Sequence, residues 1–385
     1  MPDFFRPKGV TARMLILFAA IVLLIYAALV AYIGWSGYRW LRPIAPSRRF
    51  KWLYAALLLF LATSFIFGQL SGLSILGKIG AYWMAVLFLL TFLIPLAHLT
   101  VLMLRLLRLP HRRADSWAGA AVLFLLIVLL AYGSHQAYSP VVRAYEIRIE
   151  KEVPGLNTLS IALASDTHFG LLSGRTHAER LVREINRLEP DLVLLAGDIV
   201  DNDIRPFREQ GIAEVLSEIK AAYGVYASLG NHDRHGGPMA ELIGALEEAG
   251  MEVLYDEVAE VGGKIVLAGR KDRTDRGREP LSALLGGVDR AKPVILLDHQ
   301  PVDLEDAERE GVDLMVSGHT HRGQIFPGSL ITARIYENDW GLLRKGRMHS
   351  VVSSGFGFWG PPIRLGTRSE LVHLVVTFGG NDHTG

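Results

Sequence analysis

Two hydropathic regimes divide the chain. In the first third, apolar residues run without interruption instead of recurring with a helical or strand period. Residues 14–33, 52–67, 81–104 and 117–132 each lack a polar face. A bilayer's hydrocarbon core of ~30 Å calls for roughly 20 apolar helical residues. The pattern therefore predicts four membrane-spanning helices, the second and fourth short, with Pro95 kinking the third. Trp35, Tyr38, Trp40, Trp52, Tyr82, Trp83, Trp117 and Tyr132 sit near the ends of these runs, where interfacial aromatics belong. Arg6, Lys8 and Arg13 precede the first run, as in a signal peptide. The run exceeds a signal core, however, and Tyr32-Ile33-Gly34-Trp35 follows in place of a small-x-small cleavage site, so it reads as a retained span.

From residue 140 the pattern changes to short apolar runs separated by loops and one amphipathic helix per repeat. Strands are predicted at 143–150, 159–165, 191–196, 225–229, 294–297 and 312–316, and helices at 175–188 and 208–221. Alternating strands and helices define an α/β domain. The predicted organisation is a four-helix all-α transmembrane region over residues 1–140, then an α/β domain over 141–385.

Composition sharpens this picture in three ways. Net charge is +1, which removes the broad basic field that nucleic acid would need. The chain contains no cysteine, so a metal would be held by His, Asp, Asn or Glu. Lys and Arg favour the loops after the first and third spans, nine against seven on the other side; the nine include the Arg112 and Arg113 pair. By the positive-inside rule those loops are cytoplasmic and the α/β domain extracytoplasmic.

The chemistry sits where strands end. Residues 159–165 lead into Asp166-Thr167-His168, whose Asp and His point the same way if the segment stays extended. Residues 191–196 lead into Gly197-Asp198-Ile199-Val200-Asp201, and a carboxylate such as Asp198 can bridge two ions. Then come Gly230-Asn231-His232-Asp233, Asp298-His299, and Ser317-Gly318-His319-Thr320-His321-Arg322-Gly323-Gln324. Asn231 offers an amide oxygen and His232 a proton donor, whereas Asp233 reads as a helix cap near Pro238 or a loop brace. Singly, each Asp reads as an N-cap and each His as a structural residue. Five in succession, at the strand ends where open α/β sheets bind ligands, read as a metal site. His177, His349, His373 and His383 show no such pattern.

This motif order resembles the calcineurin-like metallophosphoesterases over residues 155–376. The Gly-His-Thr-His-x-Gly-Gln form, with Ser354-Gly355-Phe356-Gly357 and Pro362-Ile363-Arg364 behind it, is similar to their bacterial membrane-associated branch. The resemblance implies two packed mixed β-sheets flanked by helices, a four-layer αββα sandwich, with a dinuclear centre. It implies that Asp166, His168 and His321 bind one ion, that Asn231, His299 and His319 bind a second, and that Asp198 bridges them. It makes His232 the general acid, oriented by Asp201, and implies hydrolysis of a phosphate ester by a hydroxide between the ions. The ions are divalent; manganese, iron, zinc and nickel all suit these ligands. Members of the branch often carry glycine at Arg322 and leucine at Thr167, so Arg322 is either a phosphate grip or a solvated side chain. His235 and Arg234 are further candidates for substrate contact.

A bilayer anchor favours a phosphodiester or a lipid-linked pyrophosphate as substrate, in a multi-pass bacterial inner-membrane protein. The rival readings are a nuclease of the same superfamily, a non-catalytic sensor or transporter, and an enzyme facing the cytoplasm. The spans lack Asp, Glu, Lys and Arg in their interiors, which speaks against a charged transport path.

Overall fold

The computed structural model describes residues 12–108, 113–235 and 238–379. Arg6, Lys8, Arg112 and His383 lie outside the described residues. The chain divides into two compact units between Ala131 and Tyr132, inside a helix and ahead of the predicted boundary at residue 140.

The first unit contains α1 (Ala12–Leu41), α2 (Arg48–Ser71), α3 (Ser74–Leu106) and most of α4 (Ala114–Tyr138). Each overruns its predicted span, because hydropathy marks only the apolar part of a helix and the flanking Arg, Lys and Trp residues are helix-compatible too. Helix α3 continues through Pro95. Ile33, Ala62, Trp83, Leu87, Ile94 and Val122 form the interior. Within it, Trp83 Nε1–H donates to Tyr26 Oη (2.9 Å), whose hydroxyl donates to the Ala62 carbonyl (2.6 Å). The outward residues are mostly large and apolar, and all four helices are long and apolar enough to cross a membrane. Arg39 at the end of α1 and Arg105 at the end of α3 both reach Asp115, each at 2.7 Å. Asp115 lies in the first turn of α4, where the helix dipole favours a carboxylate.

The second unit begins with the last turns of α4 and β1 (Val141–Ile149), followed by β2 (Thr158–Ala164), α5 (Arg175–Leu188) and β3 (Leu192–Ala196). Next come α6 (Ile204–Glu209), α7 (Ile212–Leu216), β4 (Val225–Ser228), α8 (Met239–Glu248) and β5 (Met251–Val253). The other half runs β6 (Glu257–Val261), β7 (Ile265–Gly269), α9 (Leu281–Leu284), β8 (Val294–Leu297), α10 (Leu304–Arg309), β9 (Leu314–Ser317) and α11 (Gly328–Ile335). It closes with β10 (Gly341–Lys345), β11 (Met348–Val352) and β12 (Glu370–Phe378). One six-stranded sheet has the order β1-β12-β2-β3-β4-β5, the other β10-β11-β9-β8-β7-β6. Both are mixed: β12–β2, β6–β7 and β10–β11 are antiparallel and the remaining pairs parallel.

The period-2 alternation of strand side chains makes the layers. Ile161 and Leu163 of β2 face inward and pack with Leu194, Leu267, Ile295, Leu314 and Val316 between the sheets. Their neighbours Ala162 and Ala164 face outward to α5, α7 and α8, against Leu181, Ile185, Val215 and Leu246. On the other side Val266, Leu296 and Met315 meet Leu281 of α9 and Leu304 and Ala307 of α10. The result is the four-layer sandwich expected.

Local boundaries differ. The helix expected at 208–221 is two short helices, α6 and α7, turning at Gln210–Gly211. Arg175 Nη1 donates to both of those carbonyls (3.2 Å each) and holds the turn.

His177 on α5 is buried, its Nε2 3.1 Å from the Phe356 carbonyl, and burial lowers its pKa to about 4. The folded unit thus binds fewer protons than the unfolded chain between pH ~4 and ~6.5, so stability rises with pH across that window and levels off above it. Acidification from pH ~6.5 to ~4 should cost about 3 kcal/mol from this residue. Thermal melts of the detergent-solubilised protein should show a shallower acid slope for His177→Gln than for wild type.

Candidate metal centre

The loops after β2, β3, β4, β8 and β9 converge, and the sequence-predicted ligands come together there. Asp166 and His168 do so by a route the spacing did not reveal. Strand β2 ends at Ala164, and Asp166 (φ +50°) and His168 (φ +43°) are both left-handed instead of extended. Neighbouring backbone fixes this bend. Asp166 N–H donates to Gly197 O (2.9 Å), His168 N–H to Asp198 O (3.0 Å), and Thr167 Oγ1 to Ile199 O (2.9 Å). Thr167, the departure from leucine, therefore stitches the first motif to the second.

Asp166, His168 and His321 form one buried group whose ligand atoms all lie within 4.8 Å of one another. His168 Nε2 and His321 Nε2 face each other at 3.2 Å, and His321 Nε2 is 3.4 Å from Asp166 Oδ1. A second such group is Asp198, His299 and His319. Asp198 Oδ2 lies 3.1 Å from His299 Nε2 and 3.8 Å from His168 Nε2, so one oxygen faces both groups. His299 Nδ1 is 2.8 Å from the Ala196 carbonyl, to which it donates, leaving Nε2 free toward Asp198. Both His299 Nε2 and Asn231 Oδ1 are buried without a hydrogen-bond partner. Converging lone pairs, buried carboxylates and an orphaned amide oxygen suit divalent cations.

Beside the second motif, Asp201 Oδ1 lies 3.5 Å from His168 Nδ1 and 3.8 Å from His232 Nδ1. His232 N–H donates to Asp198 Oδ1 (2.8 Å), and its ring centroid is 4.8 Å from that of His168. Gly318 permits this density, since a Cβ there would fall 2.1 Å from Asp166 Oδ2. Its successor His319 donates its backbone N–H to the same carboxylate (2.9 and 3.1 Å).

Burial raises the pKa of Asp166. Burial also opposes the charge on Asp198, but the surrounding His299, His168 and His232 prevail and hold it below the usual carboxylate range. His299 shows the counterpart: burial disfavours its imidazolium, yet Asp198 and Asp166 lift its pKa well above the ordinary value. Burial, with His299 nearby, drops His319 to about 4, and burial lowers His232. The carboxylates demand positive charge where the nitrogen lone pairs meet.

The supporting residues were partly illegible. Asp233 is a brace, not a helix cap: its carboxylate accepts from Val200 N–H and Gly230 N–H, both at 2.8 Å, linking the second and third loops. Burial and the charge of Asp198 push its pKa up to about 7. Arg322 stacks on Trp340, its guanidinium 3.7 Å from the ring centroid, so it is not simply solvated. The His235 side chain lies outside the described part of the structure. Arg364, named above only as the end of the Pro362-Ile363-Arg364 tail, is fully buried, a role that was missed. Its Nη2 donates to Ser354 O (2.6 Å) and Gly357 O (2.7 Å) and its Nη1 to His321 O (3.2 Å). Asp272, also missed, is buried and accepts from Gln300 Nε2 (2.9 Å) beside His299. Nothing in their local sequence marks either as buried.

Residues 159–323 match the calcineurin-like phosphoesterase family. An uncharacterized metallophosphoesterase of Aquifex aeolicus is 33% identical over 267 residues, spanning 67% of this chain and 100% of that protein. The chain belongs to the calcineurin-like metallophosphoesterases. A transmembrane protein with metallophosphoesterase domain from Danio rerio is 34% identical over 270 residues, 66% of this chain and 61% of that one. An uncharacterized metallophosphoesterase from Helicobacter pylori is 35% identical over 222 residues, 56% and 59%. The chain thus spans about three fifths of the length of these last two relatives.

Replacing Asp233 by Ala strands two buried N–H donors, each costing roughly 1–3 kcal/mol. Asp233→Ala should therefore lower stability by about 2–6 kcal/mol in denaturant titrations, whereas Asp233→Asn, which keeps one acceptor, should lose less.

Proposed function

We propose that the chain is a membrane-anchored phosphoesterase with a dinuclear metal centre. Asp166, His168 and His321 would hold one ion, Asn231, His299 and His319 the other, and Asp198 both. The carrying observation is that a single Asp198 oxygen faces the two ligand groups at 3.1 and 3.8 Å. Divalent ions bound there supply Lewis acidity toward phosphoryl oxygens and acidify water.

The remaining chemistry belongs to the chain's own residues. His232, with 16% of its side chain exposed, is open to a substrate and donates a proton to the departing oxygen. Asp201, beside His232 Nδ1, orients the ring and stabilises it when protonated. The backbone N–H of His232, held by Asp198, ties the proton donor to the shared ligand. The four apolar helices, and the transmembrane description of the Danio rerio relative, support a multi-pass anchor. Anchoring favours a phosphodiester or lipid-linked pyrophosphate near the bilayer. The Lys and Arg distribution favours a catalytic unit on the extracytoplasmic side.

The purified full-length protein should hydrolyse bis-(p-nitrophenyl) phosphate after chelation and re-addition of manganese. His232→Ala should lower turnover ~10²–10⁴-fold with metal content retained, as expected for loss of a general acid. Asp198→Ala should lose metal as well as turnover. Full activity in both variants would sink the assignment.

A further inference from the structure

Helix α11 is inverted relative to an ordinary surface helix. None of its residues is buried, and Thr332 turns toward the protein, where its Oγ1 donates to Asp339 Oδ2 (2.7 Å). Leu330, Ile331 and Ile335 face outward, 57–66% exposed, with Arg334 among them. At about 100° per residue, Leu330, Arg334, Ile331 and Ile335 fall within an arc of roughly 140°, one broad helical face. Phe326 and Trp359 are also exposed, 58% and 53%.

These residues are fastened to the metal site through the tail of its last motif. A Cβ at Gly323 would fall 2.1 Å from the Gly328 carbonyl carbon, so only glycine lets the start of α11 rest there. Gln324 clasps the Trp359 segment: its Nε2 donates to Trp359 O (2.8 Å), and its Oε1 accepts from Trp359 N–H (2.9 Å). Phe326 N–H donates to Leu365 O (2.9 Å). The Trp359 ring lies 5.8 Å from His232. Trp359 therefore borders the proton donor.

The same 358–365 segment receives the end of α4. Arg364 N–H donates to Gly133 O (2.9 Å), Ser134 Oγ to Pro362 O (3.2 Å), and the Tyr138 and Phe358 rings meet edge to face at 4.8 Å. Residues 132–138 directly continue a helix long and apolar enough to cross a membrane. Aliphatic and aromatic side chains interspersed with an arginine compose an interfacial face, the arginine meeting lipid phosphate.

We propose that α11, Phe326 and Trp359 form a bilayer-docking face that sinks into the headgroup–acyl boundary and holds the mouth of the metal site at the lipid surface. This rests on the membrane-anchored reading above, and its partner is the lipid surface itself. The terminal Gly-Gln of the histidine motif then has a task apart from ligation, which is to set this face beside the ligands.

The chain has no cysteine, so single-cysteine nitroxide labelling of the full-length protein tests the proposal directly. Labels at Ile331→Cys, Phe124→Cys in α4 and Glu218→Cys, exposed after α7, are compared in phosphatidylcholine–phosphatidylglycerol vesicles. The readout is the ratio of collisions with oxygen to collisions with a water-soluble nickel chelate. The ratio at residue 331 should be several-fold above that at 218 and below that at 124, which lies in the middle of its span. A water-like ratio at 331 with a lipid-like one at 124 overturns the docking face and leaves the anchor standing. Water-like ratios at both overturn the anchor reading too. Spin–spin broadening between residue-331 labels shows a second copy on this face and also overturns the proposal. Ile331→Glu should abolish shielding of a label at Leu330→Cys while hydrolysis of the soluble diester is unchanged; retained shielding counts against the proposal.

Discussion

Asp166 and Asp198 are fully buried carboxylates set among imidazoles and backbone N–H groups, and the α/β unit is shaped around keeping them there. An unpaired buried charge is costly, so a fold holds one only where compensating charge and donors are arranged in advance. Here the compensation comes from loops of both sheets. His299 and His319 come from the second sheet, His168 and His232 from the first, and Arg364 from the segment before β12. Neither sheet alone could hold the pair.

The arrangement has a conformational cost. Asp166, His168, Asp198, His319 and His321 all sit at positive φ, between +43° and +70°. Non-glycine residues held so cost about 1–3 kcal/mol each and persist only where their surroundings over-determine them. The over-determination is visible in the strap of hydrogen bonds from Asp166, Thr167 and His168 to residues 197–199, and in the Asp233 brace beneath. Stability is spent on geometry at the very residues whose spacing marks the site.

That trade also explains what could be read from the sequence. The hydrophobic runs gave the four long helices, the central strands and α5, because those elements obey local period and length. The ligand residues were legible because Asp and His recur at successive strand ends. Their conformation was not, since a left-handed bend at Asp166 is imposed by residues about 30 positions away. Arg364, Asp272 and the inverted face of α11 were invisible for a related reason: burial of an arginine, or exposure of Leu330 and Ile331, is decided by long-range packing. The compact second unit begins at Tyr132, inside α4, because the last turns of that helix pack with residues of the second unit.

The strand order carries a consequence for how the chain is made. Strand β12, residues 370–378, lies between β1 and β2, bonded in register to both. The first strand therefore has no neighbour until the last has been synthesised. During translation, residues 141–164 must wait with open edges while some two hundred further residues emerge, and such edges invite mispairing. A chain stalled before residue 370 would hold all seven proposed metal ligands yet lack the strand that joins β1 to the sheet. The first sheet is complete only once residues 370–378 have emerged.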